Sequence, residues 1–341
     1  MDLSTRYLGL TLRHPIVASA SPLTASLDGM RRLEDAGAAA VVMASLYEEQ
    51  IRADDTTYAL RTEAGSYSQA EASTYFPELP DYRWGVSGHL DTLRRASEAL
   101  DIPVIASLNG TTHEGWIEYA TLLEQAGAAA LELNLFILPA GLGMSGREVE
   151  ASHVDIVRKV TSKVRIPVSI KLSPFFSSIG HLAAELERAG ARGFVLFNRF
   201  LQPDIDLDTL SLKLDLQLST PADIHLTIMW IALLSSQLRA SLAAGRGVES
   251  HEQVVKCLLV GADAVMTTSA LLRHGPGHLR TLTAGLQRWL EEHQYASVAS
   301  MKGSKDTSRP DTVAARLRTQ YVKALTEYVS DPTWRPKDVG P

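Results

Sequence analysis

Residues 126–134 read AGAAALELN. This stretch joins the end of an amphipathic segment to a short apolar run that is typical of a buried strand. Glycine directly after a helix adopts the left-handed conformation that ends it, because no Cβ opposes that conformation. The same junction recurs as Ala36-Gly37-Ala38, Ala189-Gly190-Ala191 and Val260-Gly261-Ala262. The repetition predicts a series of helix-then-strand units.

Eight apolar runs are the predicted strands. They are Pro15–Ala20, Ala39–Ser45, Pro103–Asn109, Ala130–Leu135, Pro167–Ser173, Gly193–Asn198, Arg239–Gly245 and Ala264–Ser269. Their continuous apolar character is typical of parallel strands covered on both faces. Segments with helical spacing lie between them, such as Glu114–Gln125, Arg147–Val164, Ser178–Arg188 and Glu252–Leu259. Eight such units predict a (β/α)8 TIM barrel, with an open doubly wound sheet as the alternative.

Two segments fall outside the repeat. The long stretch Arg52–Gly85 is rich in aromatic residues and follows the second strand, so it would lie over the mouth of a barrel. It is either a lid or substrate loop, or a surface excursion or dimer contact. The tail is predicted to be helical around Val313–Val329. We predict a barrel domain over residues 1–303 and a tail over residues 304–341, packed outside the barrel.

The composition is that of a globular protein with a large core. Hydrophobic residues make up 45% of the 341 residues, and the formal net charge is −6. A mildly acidic chain lacks the basic face that general nucleic-acid binding needs. Its single cysteine, Cys257, excludes an intramolecular disulfide framework, a cysteine zinc site and a protein-ligated iron–sulfur cluster. Because neither an apolar run of about 18 residues nor a signal-peptide pattern occurs, we predict a cytoplasmic protein without membrane contact.

The residues at the strand ends are the candidate site, because barrel enzymes place their chemistry at the C-terminal ends of the strands. They are Ser19, Ala20, Asn109, Asn134, Lys171, Asn198, Arg199, Gly247, Thr268 and Ser269. A lysine inside an apolar strand is costly unless its ammonium meets an anion or hydrogen-bond acceptors. Lys171 is therefore a candidate site residue, with a buried structural ion pair as the alternative. The alternative for each asparagine is a loop-capping role.

The last two strands carry a phosphate signal. Gly245-Arg246-Gly247 and Thr268-Ser269 follow strands seven and eight, where barrels frequently hold a phosphate on backbone N–H groups. No histidine pair has metal-ligand spacing, so we predict no metal site. Cys257 lies in an apolar helical segment and is predicted to be packed and inert.

Several of these segments carry a family resemblance in a shared order and spacing. They include residues 14–19, 132–135, 168–174, 247–250 and 261–271. Over residues 8–303 the chain resembles the class 1 dihydroorotate dehydrogenase family of FMN-containing (β/α)8 barrels. It is most similar to the group called dihydroorotate dehydrogenase-like proteins.

The resemblance implies an FMN site and a set of roles. It places Ser19 and Ala20 against the flavin, Asn109 and Asn134 around the isoalloxazine, Lys171 at the N1/O2 edge, and Gly247, Thr268 and Ser269 on the phosphate. We predict Asn134, Lys171 and Asn198 as catalytic residues, together with Arg199, which replaces the second residue of the family's Asn-Ser pair. The resemblance also implies a homodimer, an external electron donor or acceptor and a link to pyrimidine metabolism.

The departures from the family pattern concern the substrate. In residues 134–139 Ile137 stands where the family has its Cys or Ser base, and Pro139 replaces a substrate-binding Asn. Met43 stands where the family has a lysine. An isoleucine cannot accept a proton. We therefore predict hydride transfer between flavin N5 and a small anionic dihydro or unsaturated compound, and not the usual oxidation of dihydroorotate.

Arg199 is a candidate for binding that anion, because a guanidinium grips a carboxylate or phosphate through two hydrogen bonds. A salt bridge to Glu48, Glu49 or Asp204 is the alternative for this side chain. Two other functions stay open for the whole chain. One is a catalytically degraded FMN-binding barrel with a regulatory or assembly role. The other is a flavin-free aldolase or isomerase with Lys171 as a Schiff-base nucleophile.

Overall fold

The computed structural model describes residues 1–48, 86–110, 113–135, 142–199, 204–213, 217–304 and 318–326. The strands in these ranges are β1 Thr5–Tyr7, β2 Leu10–Leu12, β3 Ile16–Ala18, β4 Val41–Val42, β5 Leu46–Tyr47, β6 Val104–Asn109, β7 Ala130–Asn134, β8 Val168–Leu172, β9 Gly193–Leu196, β10 Asp204–Asp206, β11 Ser211–Lys213, β12 Ser241–Ala244 and β13 Ala264–Thr267. The α-helices are α1 Leu27–Asp35, α2 Val86–Ala99, α3 His113–Gln125, α4 Gly146–Thr161, α5 Ile179–Arg188, α6 Ile224–Leu234, α7 His251–Leu259, α8 Ser269–His274, α9 His278–Glu292 and α10 Val298–Met301.

Nine of the strands form one parallel barrel. Around the barrel they follow the order β4, β3, β13, β12, β9, β8, β7, β6 and β5, and a further pairing of β4 with β6 closes the circle. β4 and β5 are two pieces of the second barrel strand, since both pair in parallel with β6. Each of the eight predicted strands is therefore a barrel strand. The predicted (β/α)8 TIM barrel is confirmed, and the open sheet is wrong.

The four glycine junctions take the predicted backbone conformation. Gly37, Gly127, Gly190 and Gly261 have φ values of +102°, +97°, +110° and +110°. Each stands between the helix after an odd-numbered barrel strand and the strand that follows it. The chain is thus built as four successive quarters, each containing two strands with such a junction between them.

Three glutamates link the successive quarters, a feature the sequence reasoning did not anticipate. Each stands three residues before a junction glycine and accepts hydrogen bonds from two backbone N–H groups just before the first strand of the next quarter. The links run from Glu34 to Asp101 and Ile102 (2.8 and 3.1 Å), from Glu124 to Arg165 and Ile166 (2.6 and 3.0 Å), and from Glu187 to Arg239 and Ala240 (2.7 and 2.6 Å). These carboxylates satisfy backbone donors that no strand pairing reaches.

An N-terminal hairpin forms a second part of the core. β1 and β2 pair antiparallel, and Tyr7, Leu8 and Leu12 pack in one cluster with lumen residues such as Val17 and Ile105. A second antiparallel hairpin, β10–β11, follows β9 and carries exposed apolar side chains. Neither hairpin was predicted, because strands of three residues are too short to show a periodic pattern.

Other predictions concern the segments around the barrel. The long segment Arg52–Gly85 lies outside the described residues. Residues 318–326 are helical and exposed, within the predicted tail helix. The division at residue 303 and the packing of the tail stay predictions. Among the described helices, none is both long enough and apolar enough to cross a membrane.

Replacing Gly37 by Ala tests the junctions. A Cβ added at Gly37 has no atom within 4 Å, so the substitution introduces only the backbone cost of a left-handed residue. We expect the Gly37→Ala variant to lose about 1–2 kcal/mol of unfolding free energy in urea. Gly277→Ala is the control, because that position is equally open and its φ of −55° suits alanine. Equal stability of both variants would contradict the junction's role.

Candidate active site

Three of the predicted polar residues meet at the C-terminal mouth of the barrel. Asn134 ends β7 and lies directly beside Lys171 of β8 in the strand register. Asn198 follows β9, and its side-chain amide donates to the Asn134 oxygen at 2.7 Å. The Asn198 oxygen accepts from the backbone N–H of Arg199 at 2.9 Å. Asn109 ends β6, the next strand along, and is also buried.

Lys171 forms an ion pair inside the barrel. Its Nζ lies 3.2 Å from Oε1 of Glu132, and the two side chains are 13% and 1% exposed. The structural ion pair that was the alternative for Lys171 therefore exists. It does not use up the ammonium, which has three N–H donors. Among the described residues Glu132 is its one hydrogen-bond partner, so Lys171 retains donors for a bound molecule.

Glu132 belongs to a polar wall that the sequence reasoning missed. In each of β6, β7 and β8, two alternate residues are polar and buried or nearly so. The wall consists of Ser107 and Asn109, Glu132 and Asn134, and Ser169 and Lys171. Its lower members are aligned, since Glu132 pairs in register with both Ser107 and Ser169. Alternation of this kind within apolar strands is the signal that would have identified Glu132 from sequence.

Hydrogen bonds fix the serines of this wall. Ser169 Oγ donates to the carbonyl of Leu131 at 3.0 Å, and Ser107 Oγ lies 2.7 Å from Ser45 Oγ. Both serines are fully buried. Their hydroxyls are thus occupied within the protein, which leaves the upper row of amides and ammonium to contact a ligand.

Tyr7 lies below the wall, at the end of the barrel that the hairpin closes. It is fully buried, and burial together with the nearby Glu132 charge raises the pKa of its phenol. Its hydroxyl and Oε2 of Glu132 are both buried without a hydrogen-bond partner among the described residues. The carboxylate therefore has Lys171 as its ionic partner and the Tyr7 phenol nearby.

The predicted phosphate residues lie at the ends of β12 and β13 and differ in what they can donate. Thr268 Oγ1 donates to the carbonyl of Ser19 at 3.3 Å, so its hydroxyl hydrogen is used. Ser269 Oγ accepts from the backbone N–H and the hydroxyl of Ser219, at 3.0 and 2.9 Å. Its own hydrogen stays available for an anion. Gly247 has a φ of +71°, and a Cβ there would lie 2.5 Å from the backbone nitrogen of Ile224.

Ser219 is a second residue that the sequence reasoning missed. It contacts Ser269, and its hydroxyl accepts from the Gly247 N–H at 3.5 Å. Arg246, between the two glycines, forms an ion pair with Asp223 at 2.8 Å. Its charge is thus largely used inside the protein rather than offered to a phosphate. Neither Ser219 nor Asp223 carries a local sequence signal, because each acts on a distant segment.

The remaining strand-end residues take separate positions. Ser19 and Ala20 follow β3 and are half-buried, and the Ser19 N–H donates to the Thr267 carbonyl at 3.1 Å. Met43 is buried in the core between the strands and the helices rather than in the lumen cluster. Glu48 is buried against Gly115 of α3, and Arg199 is half-buried.

Three residues of the sequence argument, Glu49, Ile137 and Pro139, lie outside the described residues. The absence of a base at position 137 therefore stays a sequence observation, and the partners considered for Arg199 stay open.

Comparison with known proteins finds relatives along most of the chain, although no protein-family model matches it. A protein of Aeropyrum pernix provisionally named dihydroorotate dehydrogenase A (fumarate) is 33% identical over 215 residues, 62% of this chain and 70% of that protein. The catalytic subunit of dihydroorotate dehydrogenase B (NAD(+)) from Thermoplasma volcanium is 26% identical over 306 residues, 89% of this chain and 98% of that subunit. The chloroplastic dihydropyrimidine dehydrogenase (NADP(+)) of Arabidopsis thaliana is 24% identical over 330 residues, 89% of this chain and 76% of that protein.

Cys257 is packed inside the protein, as its sequence context predicted. It is fully buried on α7, and burial raises the pKa of its thiol to about 12. We expect the native chain at pH 8 to react negligibly with a thiol reagent, because the thiolate is the reactive form. The control is the same chain unfolded in denaturant, in which one thiol per chain should react with the reagent. Fast reaction of the native chain would contradict this burial.

Proposed function

The chain belongs to the class 1 dihydroorotate dehydrogenase family, and we propose that it is an FMN-dependent oxidoreductase. It would transfer hydride between the flavin and a CH–CH carbon of a small anionic substrate. The observation that supports the proposal is the cluster of Lys171, Asn134 and Asn198 at the mouth of the barrel. An ammonium on the strand next to a pair of hydrogen-bonded amides is costly to bury unless these groups bind something.

The donor set at the mouth fits FMN. The pyrimidine edge of an isoalloxazine presents carbonyl oxygens and a ring nitrogen that becomes negative on reduction. Lys171 and the amides of Asn109 and Asn134 offer a positive charge and hydrogen bonds of the kind such an edge accepts. Ser269 retains a hydroxyl hydrogen for the phosphate at the ends of β12 and β13.

Each residue of the candidate site has a separate role towards FMN. When bound, FMN supplies the two-electron chemistry, while the protein orients it and tunes its charge. Lys171 provides positive charge at the N1/O2 edge, and Asn109 and Asn134 hold the ring. Asn198 fixes the Asn134 amide through their 2.7 Å hydrogen bond. Ser19 and Ala20 lie against the ring, and Gly247, Thr268 and Ser269 hold the phosphate, with Thr268 acting through its backbone.

The substrate is proposed to share the chemistry of the relatives' substrates without being dihydroorotate. The names of the relatives specify dihydroorotate and dihydropyrimidine, both cyclic amides that undergo CH–CH oxidation or reduction. Ile137 cannot serve as the base that the family uses on dihydroorotate. Arg199 is the residue proposed to bind the substrate's carboxylate or phosphate, since its backbone joins it to Asn198.

The electron carrier is proposed to come from outside the chain. The relatives are named for fumarate, NAD(+) and NADP(+), so the family does not share one carrier. A homodimer and a cytoplasmic location, with pyrimidine metabolism as the setting, complete the proposal by analogy with the family. No nucleic acid, membrane or metal has a part in it.

A degraded FMN-binding barrel is the second candidate, and the replacement of the base by Ile137 is the observation that favours it. The Schiff-base alternative is disfavoured. A lysine nucleophile must give up its proton, and a neutral Lys171 would leave the buried Glu132 carboxylate without its ionic partner.

FMN titration of the apoprotein tests the cofactor. We expect wild type to bind one FMN per chain and Lys171→Met to bind it at least tenfold more weakly, because a charge-assisted hydrogen bond contributes roughly 1.5–3 kcal/mol. Lys163→Met is the control, since Lys163 is exposed and away from the mouth. Absence of FMN binding by wild type would exclude both flavin candidates.

Anaerobic bleaching of the bound flavin tests turnover and Arg199 together. A panel of anionic dihydro compounds should include one that bleaches wild type. For that compound we expect Arg199→Lys to raise KM about tenfold or more with FMN affinity unchanged, because lysine keeps the charge but loses the bidentate fork. An unchanged KM would remove Arg199 from the substrate site. Failure of every compound to bleach wild type would favour the degraded barrel.

A further inference from the structure

Glu132 has no part in the proposed chemistry as described above for FMN and substrate. It is a fully buried carboxylate, one row below the mouth, with Oε1 on Lys171 and Oε2 without a hydrogen-bond partner among the described residues. A carboxylate in such surroundings is strongly disfavoured unless it is paired. Its presence therefore needs a reason beyond packing.

The strand register explains why the pair forms. Glu132 lies beside Ser169, and Asn134 lies beside Lys171, so Glu132 and Lys171 are diagonal neighbours on adjacent strands. Long side chains at such diagonal positions reach one another. The lysine is thereby anchored to the barrel interior, while its neighbour Asn134 is anchored from the side by Asn198.

We infer that Glu132 is the positioning residue for Lys171: it holds the ammonium below the mouth and sets how much positive charge reaches the flavin edge. This inference rests on the proposed function, because the charge matters only if FMN binds there. Among the residues that the structure describes, the titratable groups near Glu132 are Lys171 from β8 and the Tyr7 phenol from β1. Lys171 therefore determines whether the carboxylate is compensated, and Glu132 determines how strongly the ammonium acts on a ligand.

Thermal unfolding of the FMN-free protein tests the pair itself. We expect Lys171→Met to lower Tm by more than about 5 °C, because it leaves the carboxylate buried and unpaired. Glu132→Gln should lower Tm less, since Lys171 is next to the mouth and can reach water. The double variant should recover more than half of the Lys171→Met loss. Additive losses in the double variant would show that the two residues are not coupled.

The double-mutant comparison of Glu132 and Lys171 has a fallback result and a charge control. If Lys171→Met alone does not fold, recovery of a folded double variant is the same result, and failure of both counts against coupling. Glu98→Gln, at an exposed position on α2, controls for the loss of one negative charge and should leave Tm unchanged.

The reduction potential of bound FMN separates positioning from a purely structural role. Glu132→Gln removes the compensating negative charge, so Lys171 should favour reduced over oxidised FMN at least tenfold more, a rise of about 30 mV for a two-electron couple. Lys171→Met should lower the potential. Glu132→Asp keeps the charge and should remain closer to wild type than Glu132→Gln.

The outcomes are distinct. Coupling in the thermal cycle with a wild-type potential in Glu132→Gln would make the pair structural only and overturn the inference. If wild type takes up no FMN, the proposed function fails and the inference fails with it, while the thermal cycle still reports on the ion pair. A potential that moves as stated, with Glu132→Asp in between, supports Glu132 as the positioning residue.

Discussion

The parallel strands close into a barrel, and this closure determines where every side chain of those strands must find its partners. In a closed barrel every second residue of each strand points into a lumen that is closed below by the β1–β2 hairpin. A polar residue at such a position must find its partners within the barrel or among what enters the mouth. The Glu132–Lys171 pair and the Asn134–Asn198 hydrogen bond are both solutions to this requirement.

The sequence was sufficient for the barrel because its signals are local and repeated. A glycine after a helix and a short apolar run each report on a few consecutive residues, and they recur often enough to define the eight strands. The two hairpins escaped because three-residue strands carry no periodicity. The glutamate links escaped for a different reason: each joins segments that are 41 to 68 positions apart, and one sequence does not reveal such pairings.

The candidate site was predictable at its rim and not beneath it. Reasoning from the last residue of each strand identified Asn109, Asn134 and Lys171, which line the upper row of the polar wall. It did not find Glu132, because that residue was taken as part of an apolar run. It also did not find Ser219, whose bond to Ser269 spans 50 positions. The residues at the mouth can be identified because they end the strands. The residues that contact them from below can be identified only from the three-dimensional structure.

The glutamate links have a consequence for how the molecule tolerates change. They lie at the end of the barrel opposite the mouth, where each carboxylate connects one quarter to the next through two backbone hydrogen bonds. At the fourth junction Leu258 occupies the glutamate position, and its carbonyl accepts from Gly303 while Lys302 pairs with Asp263. The segment that follows α10 is thus bound to the last quarter of the barrel. The links and the candidate site lie at opposite ends of the same strands, so substitutions at the mouth leave the links between the quarters in place.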